Sequence, residues 1–146
     1  MAVEIKNKKA AFRYHLMDEF IAGIELTGSE IKSIRASKAN IIDSYCRLKG
    51  EDLYVINMYI APYENAGYSQ HKDRRERRLL LNRTEINKIE RKLKDAGVTV
   101  VPVSLFISEK GWAKLKIALA KGKNAGDKRH SLKEKDLKRE MQRSQV

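Results

Sequence analysis

Cysteine is nearly absent from the sequence, and its scarcity excludes two classes of site. The single thiol, Cys46, has no partner for an internal disulfide and does not make a cysteine-rich zinc site; we expect it to be a small apolar residue in a strand. Also missing is any run of about 18 apolar residues, so no membrane span is predicted. The start, MAVEIKNKKAAF, has an early acidic residue and no apolar signal-peptide segment. These absences favour a cytoplasmic protein.

Sequence motifs of enzymes are absent too. There is no P-loop, G-x-G-x-x-G, G-x-S-x-G or H-E-x-x-H pattern. The three histidines, His15, His71 and His130, fall in a strand, a polar loop and the tail, and do not suggest one catalytic constellation. No enzyme activity, catalytic residue, metal ligand or cofactor is therefore predicted. The sequence does not by itself exclude a buried pair of carboxylates that could act as acid and base.

Positive charge is what the sequence has in excess. It holds 31 Lys and Arg against 19 Asp and Glu, a net charge of +12. Such a charge favours a polyanionic partner: RNA, DNA or an anionic membrane. The densest basic segment is the C-terminal one, from Lys121 onward, which has nine Lys or Arg against four acids. We therefore place a domain boundary near Gly122.

Alternating apolar and polar residues predict a mainly β fold. Two hairpins are indicated by Gly-containing turns, LKGED and EKG, each between two apolar-rich runs. In the last run Lys114 and Lys116 share a parity, which predicts one exposed face, whereas Trp112 is grouped with the apolar residues. The predicted strand runs are 12–16, 24–27, 41–48, 53–60, 78–82, 98–108 and 112–120.

Two helices interrupt the strands. Ser29–Ala36 is a short one, and Thr84–Ala96 has an N-cap candidate in Thr84 and a C-terminal glycine in Gly97. Several short strands at close spacing with inserted helices predict a small closed barrel or sandwich.

The polar connection from Pro62 to Arg77 has two interpretations, which sequence alone leaves open. It is either a mobile loop between strands or a nucleic-acid contact, with arginines for phosphates and Tyr63 and Tyr68 for stacking.

Three blocks in order carry a family resemblance: LTGSEIKSIRASKANIIDSY (26–45), RRLLLNRTEI (77–86) and KLKIALAKGKNAGDKR (114–129). With them the chain resembles the SsrA-binding protein family, also called small protein B, from Asn7 to about Lys138. The resemblance implies an OB-type closed antiparallel β-barrel with two or three inserted helices. It divides the chain into an N-terminal arm (1–8), an RNA-binding barrel (9–121) and a basic tail (122–146).

The family's function is implied in the same way. Its members bind the tRNA-like domain of transfer-messenger RNA and enter ribosomes stalled on an mRNA that lacks a stop codon. There the protein stands in for the missing codon–anticodon stem, so that the nascent chain is tagged for proteolysis and the ribosome is rescued. The implied partners are transfer-messenger RNA, in a 1:1 complex with a monomer, and the small-subunit rRNA at the decoding centre and mRNA channel, with no membrane.

The matching motifs also imply site residues. From the pattern alone, Leu80 is predicted to be a core residue and Asn82 to precede the helix that starts at Thr84. For both residues the RNA contact is implied only by the resemblance. The implied RNA contacts are Asn7, Arg35, Lys38, Asn40, Leu80, Asn82 and Lys114. The implied decoding-centre and tail residues are Lys121, Lys123, Asp127, Lys128, Arg129 and Lys133.

Three positions depart from the family pattern. Ile21 stands where the family often has Glu, Gly126 where it often has His, and Leu137 where it often has Trp. A carboxylate contact, a stacking ring and an aromatic anchor are therefore not expected at these places.

The tail carries weak helix signals. Ser131 and Glu134 form a capping box, but Leu137 and Met141 give little apolar face, and an isolated helix this short is marginal in water. We expect the tail to be disordered in the free protein and helical in an rRNA-lined channel.

The rival functions are a ribosomal protein or translation factor with a similar barrel, and an RNA-processing enzyme. A membrane-surface role is weaker, because the basic residues do not line an amphipathic helix with a large apolar face.

Overall fold

The computed structural model describes residues 3–62 and 73–122. The described part is mainly β, as predicted, and it contains three helices. The strands are β1 (Glu4–Lys6), β2 (Tyr14–Ile24), β3 (Ala39–Asn40), β4 (Tyr45–Lys49), β5 (Asp52–Ile56), β6 (Tyr59–Ile60), β7 (Arg77–Leu80), β8 (Val98–Ile107) and β9 (Ala113–Gly122). The helices are α1 (Ala10–Arg13), α2 (Gly28–Arg35) and α3 (Arg83–Leu93).

Antiparallel pairings connect six strands in a ring. The order is β8, β4, β5, β7, β2 and β9, and β9 pairs back to β8. Strand β1, which lies in the segment expected to be an N-terminal arm, adds to β8, and β3 and β6 form a separate pair. The ring encloses a core of aliphatic side chains, among them Leu53, Val100, Leu115 and Ile117.

Both predicted hairpins are confirmed. Strands β4 and β5 pair around Gly50, and β8 and β9 pair around the turn that holds Gly111. Each glycine has a positive φ, 62° and 84°, where other residues are strained.

The last strand has the predicted alternation in its first half. Leu115 and Ile117 are buried, while Lys114 and Lys116 lie half-buried on the opposite parity. Cys46 is buried in β4, as expected for a small apolar residue, and burial raises the pKa of its thiol.

Two of the wrong local predictions concern helices. Helix α3 is capped by Asn82, not by Thr84: the Asn82 side chain accepts from the Glu85 amide at 2.9 Å and the Glu85 carboxylate accepts from the Asn82 amide at 3.3 Å. Asn82 supplies the polar residue of an N-x-x-E box, which Thr84 has no acid to complete. The first predicted strand begins late, because residues 10–13 form helix α1 with Ala10 buried. Phe12 is exposed instead of alternating into a sheet.

Candidate nucleic-acid interface

Leu80 and Lys114 lie on either side of Gly23. Gly23 of β2 pairs with Leu80 of β7 on one edge and with Lys114 of β9 on the other. A Cβ placed on Gly23 would lie 3.3 Å from the Leu80 Cβ, so the glycine permits this close approach. Two of the implied contact residues are thereby brought into one row across three strands.

This row forms one wall of a cleft of about 310 Å³. Leu80 is 47% exposed and Trp112 is 66% exposed at its sides, so the prediction that Leu80 is a core residue is wrong. The face of β7 that carries Leu80 points away from the core, since Arg77 and Leu79 are the buried parity. The lining residues are Gly23, Ile24, Leu26, Ile31, Leu80, Trp112, Ala113 and Lys114.

Trp112 is a residue that sequence reasoning placed wrongly, with the apolar side of the last strand. It precedes β9 and is held in the hairpin turn: its amide donates to Ser108 Oγ at 3.2 Å, and its carbonyl accepts from the Ser108 amide at 2.8 Å. Parity was the available signal, because Trp112 lies two residues before Lys114 and so falls on the face that the two lysines predict to be exposed.

Arg35 lies close to the same turn. Its Nη2 is 3.6 Å from the position that a Cβ would take on Gly111, one residue before Trp112. Arg35 is the exposed last residue of α2, and Ile31 of the same helix lines the cleft. The Arg35 guanidinium, the Trp112 indole and the Lys114 side chain thus lie in or beside the same apolar cleft.

Lys38 and Asn40 follow α2 and are exposed. The Asn40 Oδ1 accepts from the Ile42 amide at 2.9 Å, and the Lys38 carbonyl accepts from the Ala61 amide at 2.9 Å. Both residues are exposed, so their side chains are accessible to a partner.

The Asn7 side chain makes hydrogen bonds within the protein. Its Nδ2 donates to Pro102 O at 2.9 Å and to Ile41 O at 3.4 Å, and its Oδ1 accepts from the Lys9 amide at 3.3 Å. Both amide hydrogens are occupied, so an RNA contact by Asn7 must use the second lone pair of Oδ1.

The connection before β7 contains a buried ion-pair network that sequence reasoning missed. The Glu30 carboxylate binds Arg75 and Arg77, and both Glu30 and Arg77 are fully buried. Burial alone would raise the pKa of Glu30, but hydrogen bonds from Arg75 and Thr27 and the charge of Arg77 outweigh it and hold the pKa below its ordinary value. Arg77 is thus not a phosphate ligand, and the stacking proposed for Tyr63 and Tyr68 lies outside the described residues.

The remaining implied residues divide in two groups. Lys121, on the last strand, is exposed and pairs in register with His15 and Val98. The others lie outside the described residues: Lys123, Asp127, Lys128, Arg129 and Lys133.

Within residues 3–62 and 73–122, no group of three or more His, Cys, Asp or Glu side chains is placed to hold a metal ion. No helix in the same ranges is long and apolar enough to cross a membrane.

Comparison with known proteins agrees with the motifs. The family model described as SmpB protein matches residues 4–146. An SsrA-binding protein of Bacteroides thetaiotaomicron is 56% identical over 97% of this chain and 95% of its own length. One from Wolbachia pipientis is 46% identical over 98% of this chain and 96% of its own.

A solved structure gives the same relationship in three dimensions. It is described as "tmRNA-SmpB: a journey to the center of the bacterial ribosome", and its matching chain is 36% identical with a TM-score of 0.72. The match covers 89% of this chain and 94% of that one. The chain therefore belongs to the SmpB, or SsrA-binding, protein family.

Proposed function

We propose that this protein binds the tRNA-like domain of transfer-messenger RNA and delivers it to stalled ribosomes for trans-translation. The observation that carries the proposal is the cleft, where exposed Trp112 and Leu80 stand beside Lys114 and Arg35. The relatives are named for binding SsrA, and the similar solved chain is described together with tmRNA and the ribosome.

The chemistry of the cleft suits a folded RNA. An exposed indole offers a stacking surface to any unpaired base, while Lys114 and Arg35 neutralise the phosphates that flank it. Contacts of this kind read shape and phosphate position and carry little sequence information. The chain's contribution is binding and placement, and the proposal requires no catalytic step.

The tail is the proposed ribosomal element. We assign residues 122–146, together with Lys121 just before them, to the decoding centre and mRNA channel. The residues proposed to act there are Lys121, Lys123, Asp127, Lys128, Arg129 and Lys133. The support is the density of basic residues and the reach of the family match to residue 146. We further propose that residues 9–121 form an OB-type barrel, for which the ring of strand pairings is the support.

A titration with RNA tests the binding half. Trp112 is the only tryptophan in the chain, so its fluorescence reports on the cleft without interference. Transfer-messenger RNA is expected to quench that fluorescence saturably, and excess unlabelled transcript of an unrelated hairpin is not expected to compete. Binding without any change in Trp112 emission would move the interface away from the cleft.

Truncation after Gly122 tests the ribosomal half. The shortened chain is expected to keep its affinity for transfer-messenger RNA and to lose tagging of nascent chains on ribosomes stalled in vitro. Tagging that persists would show that the tail is not the ribosomal element.

A further inference from the structure

We propose that Glu30 is a positioning residue for RNA binding: its buried carboxylate fixes helix α2 against strand β7 and so sets the shape of the cleft. This inference rests on the proposed function. It assigns a role to a carboxylate that touches no solvent and therefore no RNA.

The carboxylate of Glu30 has both oxygens occupied. Arg75 Nη2 lies 2.5 Å from Oε1, and Arg77 Nε lies 2.5 Å from Oε2. The Thr27 amide donates to Oε1 at 3.0 Å, which completes the capping box of α2. One side chain thus holds the start of a helix and two guanidinium groups.

Those guanidinium groups reach further segments. Arg77 Nη1 donates to Met58 O at 2.8 Å, and its Nη2 donates to Asp73 O at 3.3 Å. Arg75 Nη2 donates to Glu25 O at 3.2 Å, just after β2. Within the described residues, the network ties the segment after β2, helix α2, the segment before β6 and the start of β7 to Glu30.

Two walls of the cleft depend on these segments. Ile31, next to Glu30 on α2, lines the cleft, and Leu80, three residues beyond Arg77 on β7, lines it from the other side. Arg35 stands at the other end of the same short helix. A shift of α2 relative to β7 therefore changes the distance between the groups proposed to hold RNA.

Charge balance makes Glu30 the member on which the network depends. Two guanidinium groups converge on one carboxylate, and Arg77 is fully buried. Without the negative charge the two cations repel each other, and the buried one loses the carboxylate that is hydrogen-bonded to its Nε. The expected response is movement of β7 or α2, not merely the loss of one hydrogen bond.

The proposed role predicts a change in RNA affinity opposite to the change expected from net charge. Glu30→Gln raises the net charge of the protein by one unit, which on electrostatics alone tightens RNA binding. Positioning by Glu30 predicts the reverse, a roughly tenfold rise in Kd. The slope of log Kd against log salt should stay unchanged, because no phosphate contact is removed.

The chain provides a matched control on the same elements. Glu25 and Arg78 form an exposed pair at 3.7 Å between the segment after β2 and strand β7. Glu25→Gln makes the same charge change as Glu30→Gln, and Arg78→Lys is the exposed counterpart of Arg77→Lys. Neither control is expected to weaken binding.

The experiment measures Kd for full-length protein and transcribed transfer-messenger RNA across a salt series, at a temperature where circular dichroism shows each variant folded. Arg77→Lys preserves net charge but not the guanidinium fork, so it is the second test variant if Glu30→Gln does not fold.

Weaker binding by Glu30→Gln and Arg77→Lys with an unchanged salt slope supports the positioning role of Glu30. Wild-type affinity in a folded Glu30→Gln or Arg77→Lys variant overturns it, as does a shallower salt slope. Failure of the wild-type protein to bind would instead reject the proposed function.

Discussion

Glu30 and Arg77 form an ion pair in which neither side chain is exposed, with Oε2 and Nε 2.5 Å apart. Buried charges are costly unless they are paired and hydrogen-bonded, and here every buried side-chain N or O atom of the described residues has a partner. The pair connects helix α2 with β7, the strand that carries Leu80. Stability and the shape of the proposed interface therefore depend on the same contact.

Removing the carboxylate is expected to destabilise the fold strongly. Glu30→Ala removes the carboxylate that pairs with buried Arg77, and breaking a buried pair of this kind costs about 3–5 kcal/mol. Urea unfolding at neutral pH measures the loss. The exposed counterpart Glu25→Ala should change the free energy of unfolding by less than about 0.5 kcal/mol; equal effects of the two would mean that the buried pair is not special.

The same carboxylate makes a stability contribution that depends on pH. Its pKa in the folded protein lies below the ordinary 4.5. The contribution is therefore fully present above the unfolded-state pKa and is lost as pH falls through the folded value. Between neutral pH and about pH 3, the stability gap between wild type and Glu30→Gln should narrow. A gap that widens on acidification would contradict the lowered pKa.

Asn82 is expected to have a measurable structural role apart from RNA. Asn82→Ala removes the N-cap of α3 and should lower the free energy of unfolding by about 1 kcal/mol. Asn82→Ser keeps a capping oxygen but removes the amide group, so its stability should stay close to wild type. If Asn82→Ser also keeps full RNA affinity, the implied RNA contact by this side chain is wrong.

Trp112 should contribute to RNA binding and little to folding. Stacking of a base on an aromatic side chain contributes about 1–3 kcal/mol, so Trp112→Ala should weaken binding by that amount in a filter-binding assay. Trp112→Phe retains a ring and should recover much of the affinity. Because the indole is 66% exposed, neither variant should unfold the protein, and a large stability loss would indicate a core role instead.

Lys114 is expected to act through a phosphate. Lys114→Gln should reduce the slope of log Kd against log salt by about one unit. Lys92→Gln, on the exposed side of α3, makes the same charge change and should leave the slope unaltered. A wild-type slope for Lys114→Gln as well as for Lys92→Gln would mean that Lys114 does not contact RNA directly.

Sequence patterns were sufficient to predict features that depend only on neighbouring residues. The hairpins at Gly50 and Gly111 and the alternation of Lys114 with Leu115 depend on turn chemistry and period, which neighbouring residues determine. The N-cap was misplaced by two residues because Asn82 and Thr84 are both capping residues and only the acid at Glu85 selects between them.

Other features required the tertiary structure. Leu80 has an apolar sequence context, and only the parity set by buried Arg77 and Leu79 turns it outward. Glu30 and Arg77 are separated by 47 positions, and charged residues in a basic chain are ordinarily solvated, so no spacing rule pairs them. The cleft is likewise assembled from β2, α2, β7 and the β8–β9 turn, which no single segment reveals.

The central claim is that the protein is a carrier of transfer-messenger RNA, and sequencing the RNA that co-purifies with the full chain tests it most directly. The chain would be expressed with an affinity tag in a bacterium that has its own transfer-messenger RNA, with Trp112→Ala as the matched variant. We expect transfer-messenger RNA to be strongly enriched over its cellular share with the wild-type chain and much less with the variant. Enrichment of ribosomal RNA alone, without transfer-messenger RNA, would contradict the claim and favour a ribosomal protein or translation factor.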